Sequence, residues 1–316
     1  MKTKTGQQLP VVRRKHKMTS RELQLYSLCI IPVLLVFVFS YLPMGGIIIA
    51  FKNYKYNLGI LGSPWIGFKN FEFFVTSNDF IRVLRNTLGL NFIFIIVGTA
   101  AALGLAILLF SLKSRNATKV YQTVFITPHF LSWVVVSYML YAFLHPNHGI
   151  ANSFLINVLE MSGVDWYSEP EAWPVILTIA SVWKHVGMDS VVYYAALMGI
   201  DSGLIEAARV DGANNRQINF KILLPCLIPL IVTLSIMKVG GIFRADFGLF
   251  YQLPRDVGAL YPTTDVVDTY IFRTMRKVGD MGMSTAVGLL QSVVGFVLVL
   301  FTNACARKVD SSLGLF

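Results

Sequence analysis

Residues 206–225 read EAARVDGANNRQINFKILLP, a polar run between two apolar segments that are each long enough to cross a membrane. The part from 204 to 210 has the pattern of one short helix, with Glu206 and Arg209 three residues apart. Asp211-Gly212 ends it, because glycine takes up the backbone angles of a sharp turn without steric cost. Asn214 is placed to cap a second helix through Ile218 and Ile222 to Leu224-Pro225. Ala207, Ala208 and Ala213 are small, so another protein's surface could come close. Composition leaves two readings open. The stretch is either an amphipathic cytoplasmic loop resting on lipid headgroups, or a docking element for a second protein.

The segments on either side decide the fold class. Of 316 residues, 55% are hydrophobic and 14% charged, with mean hydropathy +0.61. A soluble domain usually carries about 25% charged residues, so the membrane is the default environment. Six segments have the roughly 20 apolar residues that a spanning helix needs. They are 25–50, 87–112, 123–144, 174–197, 222–242 and 285–306. None alternates with period 2 as a membrane barrel strand does. The expected fold is an all-α integral membrane protein with six transmembrane helices. The first apolar run is longer than the core of a signal peptide and is read as a retained span.

Breaks fall inside several spans: Pro32, Pro43 with Gly45-Gly46, Pro128, Pro225, Pro229 and Gly240-Gly241. Kinked helices around a cavity and tolerated packing irregularity both account for them. Gly288, Ser292 and Gly295 give the last helix a small-residue face for close packing.

Lys and Arg set the expected orientation. With the N-terminus inside, segments 1–24, 113–122, 198–221 and 307–316 are cytoplasmic and carry 7, 3, 3 and 2 of them. Segments 51–86, 145–173 and 243–284 lie outside and carry 5, 0 and 5. Both termini are then cytoplasmic. The net charge of +10 is a topology signal and an attraction to anionic lipid, not a nucleic-acid footprint, because no solvated domain carries it. The organisation is a basic tail 1–24, a first helix 25–50, an extracytoplasmic segment 51–86, a core 87–306 containing the loop 198–225, and a tail 307–316. Within the outer segments, 65–71 is aromatic and suits the interface. Asp265 is expected to cap a short helix, with Val266, Val267, Tyr270 and Ile271 on one face and Asp265, Asp268 and Arg273 turned away.

Catalytic signatures do not appear. No Gly-Lys dipeptide occurs, so the chain has no GxxxxGK[ST] phosphate loop, and it lacks HExxH and GxSxG. Cys29, Cys226 and Cys305 lie in apolar segments and read as small buried hydrophobes. His16, His129, His145, His148 and His185 are scattered without metal-ligand spacing. No catalytic residue, cofactor or metal is expected.

Charge inside a span is rare and usually faces a cavity or a partner. The fourth segment holds Lys184, His185 and Asp189, flanked by Trp183, Tyr193 and Tyr194. They form either an internally satisfied pair or the lining of a solute path, where aromatic faces stack on sugar rings and polar groups bond hydroxyls. Lys238, Arg244 and Asp246 near the outer end of the fifth segment are a second patch.

The opening stretch resembles the EAA motif of permease subunits of binding-protein-dependent ABC importers. Glu206-Ala207-Ala208, Asp211-Gly212-Ala213 and Ile222-Leu223-Leu224-Pro225 stand at that motif's spacing. Further stretches resemble the carbohydrate-uptake branch, the maltose-type permeases and in particular their LplB-like members. These are Gly67-Phe68-Lys69-Asn70-Phe71, Asn86-Thr87, 127–133 (TPHFLSW), Trp183-Lys184-His185-Val186-Gly187 and 265–273 (DVVDTYIFR). The resemblance covers 25–316. It departs at His185, where Glu is the more usual residue, so specificity differs if that position lines the path.

The resemblance implies the type-1 ABC importer permease fold in a bacterial cell membrane. Its expected partners are a second homologous permease subunit, an ABC ATPase dimer on the cytoplasmic side, and an extracytoplasmic solute-binding protein. It implies that Glu206, Ala207, Ala208, Asp211, Gly212, Ala213, Ile222, Leu224 and Pro225 form the ATPase-coupling loop. The substrate path is assigned to Trp183, Lys184, His185, Asp189, Tyr193 and Arg244, and the cargo to an oligosaccharide, neutral or uronic-acid-containing. An ion-coupled secondary transporter would show inverted repeats instead. A non-transporting sensor or scaffold would have lost the EAA-like pattern.

Overall fold

Two long helices form the spine of the chain: Asp79–Phe110 and Trp173–Met198 pack together more extensively than any other pair. Small residues permit it. Ala102 and Ala106, four residues apart on the first helix, are fully buried beside Tyr193 and Leu197 of the second. The small-residue face expected on the last helix is less closely packed: Ser292 is exposed, and nothing lies within 4 Å of a Cβ at Gly295.

The computed structural model describes residues 20–309. The chain divides into two units, Met1–Ile48 and Ile49–Phe316. The first begins with α1 (Ser20–Val36), followed by a wider π turn at Phe37–Tyr41 and a 3-10 helix, Leu42–Phe51, that runs on into the second unit. The second unit carries α2 (Asp79–Phe110), α3 (Arg115–Ile126), α4 (Trp133–Leu144), α5 (Trp173–Met198), α6 (Ser202–Val210), α7 (Leu224–Gly240), α8 (Phe247–Gln252), α9 (Val267–Arg273) and α10 (Met281–Val309). Shorter turns and helices join them, and no strand occurs among the described residues. Of the expected tails, 1–19 and 310–316 lie outside the described residues.

Among the described residues, five helices are long and apolar enough to cross a membrane: 26–51, 79–110, 170–198, 215–240 and 281–305. The expected third span, 123–144, is not one straight helix. Residues 115–130 and 133–144 meet at 97°. Pro128 closes the first part as a 3-10 turn, Leu131 is extended, and the Ser132 hydroxyl accepts the Val135 N–H to start α4. Pro225, in contrast, does not end a helix. The chain is continuous from 215 to 240 through a π turn at Asn219–Leu223, in which the Leu224 N–H reaches back to the Asn219 carbonyl. The wider turn accommodates a residue that has no N–H to donate. The three cysteines are free and exposed, contrary to the burial expected of them.

Short motifs in the segments 51–86 and 243–284 turn out to be fasteners. Gly67 sits at φ +62, in the left-handed region, and starts the turn that aims Asn70 inward. The Asn70 amide then donates to the carbonyls of Ala50 (2.8 Å) and Lys52 (3.1 Å). Asp265 does not face away as expected: it is 2% exposed. Arg273 (2.6 Å) and Arg82 (3.3 Å) pair with its carboxylate, and the Thr269 hydroxyl donates to it. The Val267 N–H at the start of α9 donates to Thr87, and the Asn86 amide donates to the Pro262 and Asp265 carbonyls. Asn86-Thr87 and 265–273 are therefore two halves of one joint between α2 and α9.

Gly187 allows α5 to touch α3, since a Cβ there would lie 2.0 Å from the Phe125 carbonyl oxygen. Gly187→Ala should cost about 1–3 kcal/mol through overpacking. Gly104→Ala, where nothing lies within 4 Å, should be neutral. Melting temperatures of the purified complex compare the two; equal melting would contradict this packing.

Candidate functional site

The two charged patches of the sequence meet in space. A cavity of about 300 Å³ lies between α2, α5 and the C-terminal end of α7. His185 and Asp189 enter it from α5, Asn91 from α2, and Lys238 and Arg244 from the end of α7 and the turn after it. Asp189 does not pair with His185. Its partner is Lys238, at 2.7 Å with both side chains about one-third exposed. The His185 Nδ1 is 2.9 Å from the Ser181 carbonyl, one turn back on its own helix. Arg244 is exposed and has no carboxylate within ion-pair distance among the described residues.

The turn that carries Arg244 is held from several directions. Asn91 donates to the carbonyls of Ile242 (2.7 Å) and Arg244 (3.2 Å), and Gln291 donates to the Phe243 carbonyl (2.6 Å). The Asp268 carboxylate accepts the Ala245 N–H and a Gln291 N–H. Burial pushes the Asp268 carboxyl above its usual range, and these two hydrogen bonds, its own backbone N–H and the nearby Arg244 charge act against that rise. Asp246 caps α8 and accepts the Trp133 indole N–H at 2.7 Å. Of these supports, Asn91 and Gln291 escaped the sequence reading. Their only signal is an amide side chain within an apolar helix.

Three of the residues assigned to the path do not line this cavity. Trp183 faces a separate apolar recess with Met139, Phe143 and Ile179. Tyr193 is 1% exposed in the core shared by α2, α5 and α7. Lys184 is 7% exposed and has a structural task. Its ammonium donates to the carbonyls of Pro128, His129 and Leu131 at the break between α3 and α4, and lies over the Trp133 ring at 5.1 Å. With Gly187 against Phe125 and the His185 ring 5.7 Å from that of His129, the stretches 127–133 and 183–187 interlock along their length.

At the other end of the same helices stands the polar stretch. The Asp201 carboxylate caps α6 by accepting the Gly203 N–H. Gly212 has φ +82, so the expected turn is present, and the Ala213 N–H closes it onto the Ala208 carbonyl. Asn214 and Gln217 form a reciprocal capping box that starts the next helix. Ala208, Ala213 and Ile222 pack against the core of Ala102, Tyr193 and Leu227, so these small residues serve close packing within the chain. What α6 presents outward includes Leu204, Glu206, Ala207, Arg209 and Val210, all exposed, with Val210 at 88%.

Residues 95–311 match the family described as the binding-protein-dependent transport system inner membrane component. The chain belongs to this family. It is a multi-pass membrane permease subunit, similar over nearly its whole length to Protein LplB of Bacillus subtilis, with 33% identity over 296 residues covering 94% of this chain and 92% of that one. It is also similar to the polygalacturonan/rhamnogalacturonan transport system permease protein YteP of the same organism, with 32% identity over 282 residues covering 89% and 87%. Among solved structures, one chain of a bacterial ABC transporter involved in the import of the acidic polysaccharide alginate matches with TM-score 0.83 and 33% identity, covering 92% of this chain and 97% of that one.

Within the permease, the geometry separates scaffold from lining in one five-residue stretch. Lys184→Met leaves three carbonyls at the break without the lysine donor, and buried groups left unpaired cost about 1–3 kcal/mol. It should lower the melting temperature and membrane yield of the complex. His185→Gln, on the cavity side, should melt like the wild type while changing transport kinetics. Equal stability of the two variants would contradict the assignment.

Proposed function

We propose that this permease forms one half of the transmembrane path of an ATP-driven importer for an oligosaccharide that carries carboxylates. The observation that carries the reading is the cavity between α2, α5 and α7. It combines an unpaired guanidinium at Arg244 with a Lys238–Asp189 pair, the His185 imidazole and the Asn91 amide. Arginine binds carboxylates through two parallel hydrogen bonds, and such charge-assisted bonds are about twice as strong as neutral ones. The pair and the amide are suited to sugar hydroxyls. The names of the relatives support the same class, since alginate and polygalacturonan are acidic polysaccharides.

The proposed coupling follows from helix continuity. The exposed face at Glu206, Ala207 and Val210 would seat on an ATPase subunit, with Glu206 as the charged contact. The turn at Gly212 leads into a helix of 26 residues, about 39 Å long at 1.5 Å per residue. That helix ends at Lys238 and Gly241, in the cavity wall. A push at the cytoplasmic turn therefore reaches the cavity through one rigid element. Asp211, Leu224 and Pro225 belong to this lever: the first closes α6, and the other two carry the helix past its π turn. ATP would be hydrolysed by the partner subunits, a second related permease would complete the path, and a solute-binding protein would deliver cargo from outside. The alginate transporter has been solved in complex with an alginate pentasaccharide-bound periplasmic protein, and one of its chains matches this one with TM-score 0.82.

Proline cannot adopt the φ of +82 found at Gly212, and Glu206→Lys reverses the charge of the contact. Both variants should reach the membrane yet lose stimulation of ATP hydrolysis by loaded binding protein, with uptake down at least about tenfold, a loss of about 1.4 kcal/mol or more in coupling. Normal uptake in both would sink the coupling assignment. Arg244→Gln should raise the half-saturating concentration of a uronide about tenfold or more, as expected for a lost charge-assisted hydrogen bond of about 1.5–3 kcal/mol. Uptake assays with charged and neutral sugars of equal length measure this, and an equal effect on both would remove Arg244 as a carboxylate contact.

A further inference from the structure

A second cavity, of about 200 Å³, lies between α4 and α8 and is not part of the one described above. Tyr138, Tyr251, Gln252, Arg255 and Asp256 line it, with Val134 and Ser137. Among the described residues, the side chains of Tyr138, Tyr251, Gln252 and Arg255 have no hydrogen-bond or ion-pair partner, so the phenols, the amide and the guanidinium all remain available. The Arg255 guanidinium lies over Tyr141, 4.3 Å from the ring centroid, and 5.6 Å from that of Tyr138. These rings hold the fork in place while its N–H edges stay open.

The backbone beneath it is unusual. Arg255 and Asp256 both have positive φ, +57 and +53, and neither is glycine. L-residues adopt this region at a cost, and such strain collects at functional sites. The turn is held by its carboxylate. Asp256 accepts the Tyr261 hydroxyl at 2.8 Å, pairs with Lys277, and lies 3.9 Å from Arg273. The negative charge next to Arg255 is thereby neutralised elsewhere, which leaves the cavity with a net positive group. The wall is fixed as well, since the Ser137 hydroxyl donates to the Gln252 carbonyl at 2.6 Å.

We propose that Arg255, with Tyr138, Tyr251 and Gln252, is an outer subsite for a carboxylate and neighbouring hydroxyls of the same acidic saccharide. This inference rests on the acidic-oligosaccharide reading above. Arg244 and Arg255 flank the two ends of α8, a six-residue helix about 9 Å long at 1.5 Å per residue. A chain long enough to reach from one cation to the other engages both at once, whereas a shorter one engages a single cation. Two linked contacts raise affinity more than either does alone. The subsite therefore selects for chain length.

The test uses the complete importer in proteoliposomes, with ATP inside and the loaded binding protein outside. Uptake of a uronic-acid disaccharide and of the corresponding pentasaccharide is measured for wild type, Arg255→Gln, Arg255→Lys and Tyr138→Phe. Arg255→Gln should raise the half-saturating concentration of the pentasaccharide about tenfold and that of the disaccharide by a much smaller factor. Arg255→Lys, which keeps the charge but loses the fork, should fall between, and Tyr138→Phe should give a smaller length-dependent loss. Equal shifts for both lengths, or no shift, would overturn the subsite. So would a shift in the dependence on empty binding protein, which would mark a protein contact instead. A wild-type complex that imports neutral but not acidic oligosaccharides would overturn the functional reading itself, and the subsite with it.

Discussion

The third apolar segment of this chain is broken, and a single ammonium group makes the break tolerable. In hydrocarbon, each backbone carbonyl must find a donor within the protein. The 97° bend between residues 115–130 and 133–144 interrupts the helical ladder at Pro128, His129 and Leu131, where the Pro128 carbonyl keeps only the Leu131 N–H of the 3-10 turn. Lys184 supplies N–H groups to all three, and the Trp133 ring covers it. The charge is buried but well bonded, which is the condition under which a buried charge is kept. Without the bend, α4 would not turn to meet α8, and neither the Trp133–Asp246 bond nor the Arg255 cavity would form.

The same logic recurs at the joint between α2 and α9. Asp265 is almost fully buried because two arginines and a threonine hydroxyl satisfy it. This cluster locks α9 to α2, and from α9 Asp268 reaches the turn that carries Arg244. The conspicuous polar residues Lys184 and Asp265 are thus taken up by other protein groups. They hold irregular backbone, and the irregular backbone presents the residues that do line cavities. The stretch 206–225 follows a different rule. Its inner side is packed through Ala208, Ala213 and Ile222, its outer side carries Leu204, Glu206, Ala207 and Val210, and the helix behind it is continuous to the cavity wall.

Much of this could be read from residues alone. Apolar segment lengths placed the first, fourth and last long helices to within four residues at each end, while the second and fifth begin eight and seven residues earlier than expected, because the thickness of hydrocarbon dictates the length of an apolar run and not where its helix begins. Asp211-Gly212 and Asn214 marked the turn and the cap between α6 and the next helix, because those geometries depend on local chemistry at one or two positions. Pro225 misled for the opposite reason. A proline forbids one hydrogen bond, but a π turn can absorb the loss and let the helix run on.

What a charged residue inside a span does was decided by the tertiary structure. Lys184, His185 and Asp189 are near neighbours in sequence, yet the first binds the broken third apolar segment, the second faces the cavity, and the third pairs with Lys238, 49 residues away. Helical spacing tells which side of α5 each residue occupies, but not which element lies on that side. The chain's own residue types thus determined that it crosses a membrane, where its helices lie and where its polar loop turns. Which polar groups are consumed by backbone, and which remain open to a ligand, depended on distant contacts, because satisfying a buried polar group takes a partner that only folding brings near.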